Sequence, residues 1–135
     1  MKEVVIPEGT EKIGNHWFCD SEVESVTIPA SVGEIGTDAF YGCRSLKSVV
    51  FAEGSLLKKI GPGNFSGTGI ERIVIPKGVK EIQESAFCGC EDLKEVLFEQ
   101  GSKLKTIGTD AFCDCGNLTI ITFPEGLEKI CLYAF

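Results

Sequence analysis

Cysteine is the residue type in this sequence whose number and spacing are best suited to chemistry. Seven cysteines occur in 135 residues, and two pairs have the same separation, Cys88-x-Cys90 and Cys113-x-Cys115. Thiolates are good zinc ligands, but structural zinc sites usually place two to four residues between paired cysteines. The spacing therefore does not favour a metal site, and we expect neither a metal nor another cofactor.

Acid–base catalysis has little support in the sequence. His16 is the sole histidine, and no motif pairs it with a nucleophile. Asp38 and Asp110 stand in near-identical segments, IGTDAFYGC and IGTDAFCDC, 72 residues apart. Acidic residues near the start of a helical turn are favoured by its dipole, so recurrence at this position indicates a structural role. We expect the chain not to be an enzyme.

The segments that hold these residues are copies of one repeat of about 23 residues. In each copy an Ile precedes a Phe by five residues, and successive Phe residues are 22, 25, 22, 25 and 23 positions apart. This spacing lies within the range of about 20–29 residues that is typical of leucine-rich repeats. It divides the chain into repeats 1–23, 24–46, 47–70, 71–93, 94–118 and a truncated 119–135.

Each repeat predicts one short strand followed by turns. Leu46–Phe51 ends in the period-2 alternation of a strand, and a Pro follows the strand in four repeats, at 7, 29, 76 and 124. Next come a second short apolar pair and a Gly turn, where Thr37 or Thr109 can cap a short helical turn that carries Ala-Phe inward. One unit cannot bury its own apolar face, so the repeats must stack into a solenoid with a continuous core.

Stacking places the cysteines in two columns. Cys19, Cys88 and Cys113 directly follow the repeat Phe, whereas Cys43, Cys90 and Cys115 come three residues after it. Neighbouring strands lie about 4.8 Å apart, which allows a Cys88–Cys113 or a Cys90–Cys115 disulfide. The alternative is that the second column is a buried small apolar residue, because Ser21 and Thr68 take its place elsewhere. An odd number leaves at least one thiol free.

The segments IPASVGEIGTDAFYGCRSL and IPKGVKEIQESAFCGCEDL resemble the BspA-like leucine-rich repeat found in surface proteins of host-associated bacteria and some anaerobic protists. The resemblance covers essentially the whole chain. It implies a solenoid with a parallel sheet on its concave face and helical turns on the convex side. It also implies an extracellular or cell-surface location, and adhesion to host or extracellular-matrix proteins.

The residues available for binding are those that point outward from the strands. The middle residue of each strand triplet should lie on the concave face, and this column is apolar at its centre. We predict a protein-binding stripe with an apolar centre and a charged rim: Val50, Val74 and Leu97 within Arg72, Glu95, Lys47 and Lys94. The alternative is that β-branched residues serve strand propensity alone.

The net charge and the two ends of the chain further limit the possible functions. A net charge of −7 argues against nucleic-acid binding, and no apolar run is long enough for membrane insertion. The start, MKEVVIPEG, lacks the features of a signal peptide. Both ends lack a polar cap, so we expect either a segment of a longer array or self-association through the ends. A non-enzymatic binding module is the leading interpretation, and a structural spacer or assembly segment is the alternative.

Overall fold

Two short strands recur in each of six successive turns, as the apolar spacing requires. The computed structural model describes residues 2–135, and every strand pair in it is parallel. The first strands of the turns are β1 (Glu3–Val5), β3 (Ser25–Ile28), β5 (Ser48–Phe51), β7 (Arg72–Ile75), β9 (Glu95–Phe98) and β11 (Ile120–Ile121). The second strands are β2 (Lys12–Ile13), β4 (Glu34–Ile35), β6 (Lys59–Ile60), β8 (Glu81–Ile82), β10 (Thr106–Ile107) and β12 (Lys129–Ile130). The predicted leucine-rich repeat solenoid is confirmed.

The repeat Phe residues form a column through the core. Adjacent rings stack with centroids 5.1–5.6 Å apart and planes within 15° of parallel. The four central rings are fully buried, and a buried Ala or Asn precedes each of them. Full burial of a Phe contributes about 1.5–3 kcal/mol relative to exposure, so this column is a principal source of cohesion between turns. Its members are Phe18, Phe40, Phe65, Phe87, Phe112 and Phe135.

The predicted helical turns are absent, because the described residues contain no helix. In the first five turns, the residues two before and two after the repeat Phe have left-handed backbones, as at Asp38 (φ 55°) and Gly42 (φ 73°). Left-handed residues cannot continue an α-helix, so Thr37 and Thr109 do not cap one. Asp and Gly recur here because both tolerate positive φ, which corrects the dipole explanation for Asp38 and Asp110.

These left-handed turns form a third ladder of hydrogen bonds between successive turns. Asp38 N–H donates to the Pro62 carbonyl at 3.0 Å, Phe40 N–H to Asn64 at 3.0 Å, and Gly42 N–H to Ser66 at 2.8 Å. The same three-bond pattern links the fourth turn to the fifth. The third ladder therefore runs beside the Phe column and ties each turn to the next.

The two sheets are interrupted at neighbouring but different places, the sheet of second strands between the second and third turns and the concave sheet between the third and fourth turns. The concave strands pair as β1-β3-β5 and as β7-β9-β11, and the second strands pair as β2-β4 and as β6-β8-β10-β12. Among the described strands, neither β5 with β7 nor β4 with β6 is paired. We call these two offset interruptions together the seam. Only the third ladder and the Phe column run without a break through all six turns.

Asn64 fills the seam between β4 and β6. In the other turns, the residue after the second strand donates its N–H to the preceding turn, as Gly36 does to the Ile13 carbonyl at 2.7 Å. Gly61 instead donates to the Asn64 side-chain oxygen at 2.7 Å, and the Asn64 amide donates to the Gly36 carbonyl at 2.7 Å. A fully buried side chain thus replaces a missing backbone bond.

None of the described residues belongs to a helix of the length and apolarity needed to cross a membrane.

Candidate binding surface and cysteine columns

The predicted binding stripe lies on the concave sheet with the expected orientation. The residues flanking the stripe positions are buried or half-buried, whereas Val50 is 53% exposed and Val74 is 46% exposed. Leu97 is half-buried and lies beside Val74 in the register of β7 and β9. Val50 pairs with Thr27 on the other side of the seam. The alternation along the strands therefore placed these side chains correctly, but the seam separates Val50 from Val74.

A groove opens at the seam on the concave face. Its volume is about 380 Å³, and Val50, Phe51, Ile73 and Val74 contribute apolar atoms to its wall. Ser48, Arg72 and Glu99 contribute the polar part of the lining. The absence of pairing between β5 and β7 is what opens the sheet here, so the groove combines exposed valines with a local gap in the backbone ladder.

Leu97 belongs to a different groove. This second groove, of about 560 Å³, lies between β9 and the residues that follow β11, and Phe98 and Phe123 line it with Leu97. Glu99 borders both grooves, and its carboxylate accepts the Lys77 N–H at 2.9 Å. The structure thus divides the predicted stripe between two adjacent depressions.

The rim charges are paired with one another or with close neighbours. Arg72 Nε donates to Glu95 Oε1 at 3.1 Å, and Lys94 Nζ lies 3.8 Å from Glu71 Oε1. Exposed pairs of this kind contribute about 0–1 kcal/mol to stability. A partner could therefore separate them at little cost, and the rim presents both signs of charge.

Lys47, the remaining rim residue, bridges two turns across the seam. Its Nζ lies 3.4 Å from Asp92 Oδ2, and Lys47 begins the third turn whereas Asp92 lies near the end of the fourth. The intervening position is Gly69, where an added Cβ would contact the Lys47 ammonium at 3.1 Å and clash with the Arg44 carbonyl. The missing side chain at Gly69 leaves room for this long ion pair.

The inner cysteine column is buried or half-buried and hydrogen-bonded. The thiols of Cys43, Cys90 and Cys115 donate to the Phe carbonyl of the preceding turn at 2.8, 3.0 and 3.0 Å. Burial raises the pKa of the Cys43 thiol, and a hydrogen bond with Cys90 together with burial raises the pKa of Cys115. Ser21 and Thr68 hold the same column and contact the next cysteine at 3.6 and 3.3 Å, which supports a packing role.

The outer column is half-buried, and its last two members face each other. The sulfur atoms of Cys88 and Cys113 lie within 4.8 Å, whereas Cys19 has Tyr41 at the equivalent place in the next turn. All seven cysteines are free thiols in this structure. A Cys88–Cys113 or Cys90–Cys115 disulfide therefore stays a prediction, with the outer pair suitably positioned for it.

His16 lies in the left-handed column and is exposed. Its Nε2 is 3.5 Å from Asp38 Oδ2 in the next turn, so the two residues are vertical neighbours rather than parts of a cleft. Neither residue lines any of the five grooves found in the described part of the chain. The arrangement is that of a surface pair.

Sequence reasoning missed the seam, although two signals point to it. Asn64 stands where four of the other turns have Ala, and Gly67-x-Gly69 makes the return to β7 one residue shorter than in the preceding turn. Each signal is a departure from the repeat, whereas the search for a repeat emphasises what the copies share.

Comparisons with known proteins agree with this architecture. The pneumococcal vaccine antigen PcpA has a solved structure that matches 96% of the chain at 28% identity and a TM-score of 0.89, over 36% of its own length. A leucine-rich cell-surface protein from Faecalibacterium prausnitzii matches 96% at 28% identity and a TM-score of 0.80, over 32% of its length. The chain thus spans about a third of either protein.

A leucine-rich repeat protein from Eubacterium ventriosum shares the fold, with a TM-score of 0.81 at 20% identity, over 96% of this chain and 41% of that one. No curated protein sequence matches the chain significantly. The family model described as the BspA-type leucine-rich repeat region matches six copies over residues 11–135. The chain therefore belongs to the BspA-type leucine-rich repeat family.

Proposed function

We propose that this chain is a non-enzymatic protein-binding module of a cell-surface or secreted protein, and that it binds through the concave sheet face. The observation that carries the proposal is the groove at the seam, where the exposed side chains of Val50 and Val74 face an opening of about 380 Å³. Transfer of apolar surface out of water contributes about 25 cal/mol per Å², so these valines favour a partner that covers them.

The surroundings of the groove fit a protein partner. An apolar centre with a polar rim is the usual arrangement of a protein interface, and here Arg72, Glu95, Lys94 and Glu71 form exposed ion pairs around it. The net charge of −7 disfavours nucleic acid. Two relatives are named as a vaccine antigen and a cell-surface protein, which supports a surface location and an extracellular host or matrix protein as partner.

The test is binding of purified extracellular-matrix proteins to the immobilised chain and to a Val50→Thr/Val74→Thr variant. Thr occupies this column at Thr27 and Thr122, so the substitutions keep strand propensity while removing apolar surface. We expect Kd to rise about tenfold or more, since each methyl group lost from a buried contact weakens binding by about 0.8 kcal/mol. Leu56→Ser is the matched control, because Leu56 is exposed and lies outside the groove.

The result against the proposal is equal binding by the valine variant and the native chain. A loss of binding caused equally by Leu56→Ser would also contradict it, because the effect would then not be specific to the concave face. Circular dichroism of each variant confirms that the fold is retained.

A second candidate function is an assembly segment that self-associates through its ends. The apolar side chains of the sixth turn favour it, since Leu132 is 68% exposed and Tyr133 is 69% exposed. Phe135 stacks on Phe112 at 5.2 Å and remains more than half exposed, so another repeat or a second copy could extend the Phe column. Light scattering over a concentration series tests this function, and a monomer at every concentration would contradict it.

A further inference from the structure

Three potential metal ligands meet where the fourth turn stacks on the fifth. The sulfur atoms of Cys88 and Cys113 and a carboxylate oxygen of Asp114 all lie within 4.8 Å of one another. The two thiols are half-buried and the carboxylate is exposed. We propose that Cys88, Cys113 and Asp114 bind one thiophilic divalent cation, such as Zn²⁺ or Cd²⁺, which links the fourth turn to the fifth.

The backbone holds these ligands in place. Phe87 N–H donates to the Ala111 carbonyl at 2.8 Å, and Gly89 N–H donates to the Cys113 carbonyl at 2.7 Å. These ladder bonds fix the residues on both sides of Cys88 against the turn that carries Cys113. Asp114 has a left-handed backbone (φ 59°), which sets the direction of its Cα–Cβ bond. The site is therefore built on rigid ladder positions rather than on a loose loop.

The distances suit tetrahedral coordination. Zn–S bonds of about 2.3 Å place two bound sulfur atoms about 3.8 Å apart, so the two thiols need to approach by at most about 1 Å. A carboxylate completes three protein ligands, and thiolates select soft cations such as Zn²⁺ over Mg²⁺ or Ca²⁺. The fourth position opens on a groove of about 720 Å³ lined by Cys88, Asp114, Tyr41, Arg44 and Asn117, where water can coordinate.

Proton balance gives the site a pH dependence. A cysteine binds a metal ion as its thiolate, so each of the two thiols must lose its proton on binding. Binding of a divalent cation releases two protons to solvent and leaves two thiolates and one carboxylate around the metal, with a net charge of −1. Affinity must therefore rise with pH.

This arrangement differs from the four-cysteine site that the Cys-x-Cys pairs suggest. Cys90 is buried and its thiol donates to the Phe65 carbonyl at 3.0 Å, so it points away from the outer pair. Asp114 supplies the third ligand instead. The first turn provides an internal control, because Cys19 follows its Phe in the same way but faces Tyr41, and its thiol donates to Asp20 at 3.6 Å.

The experiment titrates the fully reduced chain with Cd²⁺ under anaerobic conditions and follows the thiolate-to-cadmium charge-transfer absorption. Thiol quantification first confirms seven free cysteines per chain. We expect one equivalent of Cd²⁺ to bind, and Zn²⁺ to displace it. The signal should disappear in Cys88→Ser and in Cys113→Ser, and remain unchanged in Cys19→Ser.

Asp114→Asn separates ligation from backbone effects, because Asn accepts a left-handed conformation as readily as Asp. We expect this variant to bind about tenfold or more weakly, since it loses one of three ligands. Absence of stoichiometric binding to the reduced chain would overturn the proposal. So would a signal that survives Cys88→Ser and is lost only in Cys90→Ser, because binding would then belong to the inner pair.

Discussion

Replacement of Asn64 by Ala tests how the seam is held together. Ala is the residue at this position in four other turns, so the change brings the third turn closer to the repeat. It removes two buried hydrogen bonds, the one from Gly61 N–H and the one to the Gly36 carbonyl. Sequence similarity alone would predict a harmless or stabilising change, whereas the structure predicts the opposite.

The magnitude follows from what each backbone group retains. The Gly36 carbonyl keeps its bond from Ala39 N–H at 3.2 Å, so it loses one of two bonds, worth about 0.5–1.5 kcal/mol. Gly61 N–H donates to no acceptor other than Asn64 among the described residues, and an unsatisfied buried N–H costs about 1–3 kcal/mol. We therefore expect Asn64→Ala to lower the free energy of unfolding by about 2–4 kcal/mol.

The assay is reversible urea denaturation of the reduced protein, with Asn15→Ala as the control. Asn15 also accepts a backbone N–H, from Thr37 at 2.9 Å, but this bond is exposed. Water can replace it, so we expect a loss below about 1 kcal/mol. The reasoning is refuted if Asn64→Ala is as stable as the native chain. In that case the turns have closed and Gly61 N–H has reached the Ile35 carbonyl, as its counterparts do.

Two further predictions concern Gly69 and Cys88. Gly69→Ala should lower the free energy of unfolding by about 1–3 kcal/mol, because its Cβ would clash with the Arg44 carbonyl. Gly116 lies in open space, so the control Gly116→Ala should change this free energy by less than about 0.5 kcal/mol. Equal effects of the two substitutions in urea denaturation would contradict the steric argument. Because the folded-state pKa of Cys88 is raised to about 11 from 9.0, its contribution to stability is present below about pH 9 and declines as pH rises toward about 11. The rate of Cys88 alkylation, measured by mass spectrometry, should increase over that pH range. At pH 9 the rate should be higher in Cys113→Ser than in the native chain. An unchanged pH profile in this variant would show that Cys113 has no influence on Cys88.

The sequence was sufficient to predict what repeats within every turn. Strand alternation placed Val50, Val74 and Leu97 on the outward face, because the pleat has a period of two whatever the neighbouring turns do. The column of Phe residues followed from a constant spacing. These features depend on interactions that each copy makes in the same way.

The seam and the left-handed turns could not be predicted in this manner. Pairing of β5 with β7 depends on the distance between the third and fourth turns, where the return at Gly69 is shortened. Pairing of β4 with β6 depends on the distance between the second and third turns, where the Asn64 side chain intervenes. The residues near Phe suggested a helical turn because Thr, Asp and Ala favour one. Alternating left-handed positions, such as Asp110 and Asp114, instead direct the N–H groups to the next turn.

The seam also determines how the chain should respond to force or partial denaturation. In a linear array each turn is coupled only to its neighbours, and the total stability is a sum of such couplings. The third turn lacks one of the three ladders on each side, because β4 does not pair with β6 and β5 does not pair with β7. We therefore expect the array to open first around the third turn, which amide hydrogen exchange would detect as earlier exchange in residues 47–70 than in the fourth and fifth turns.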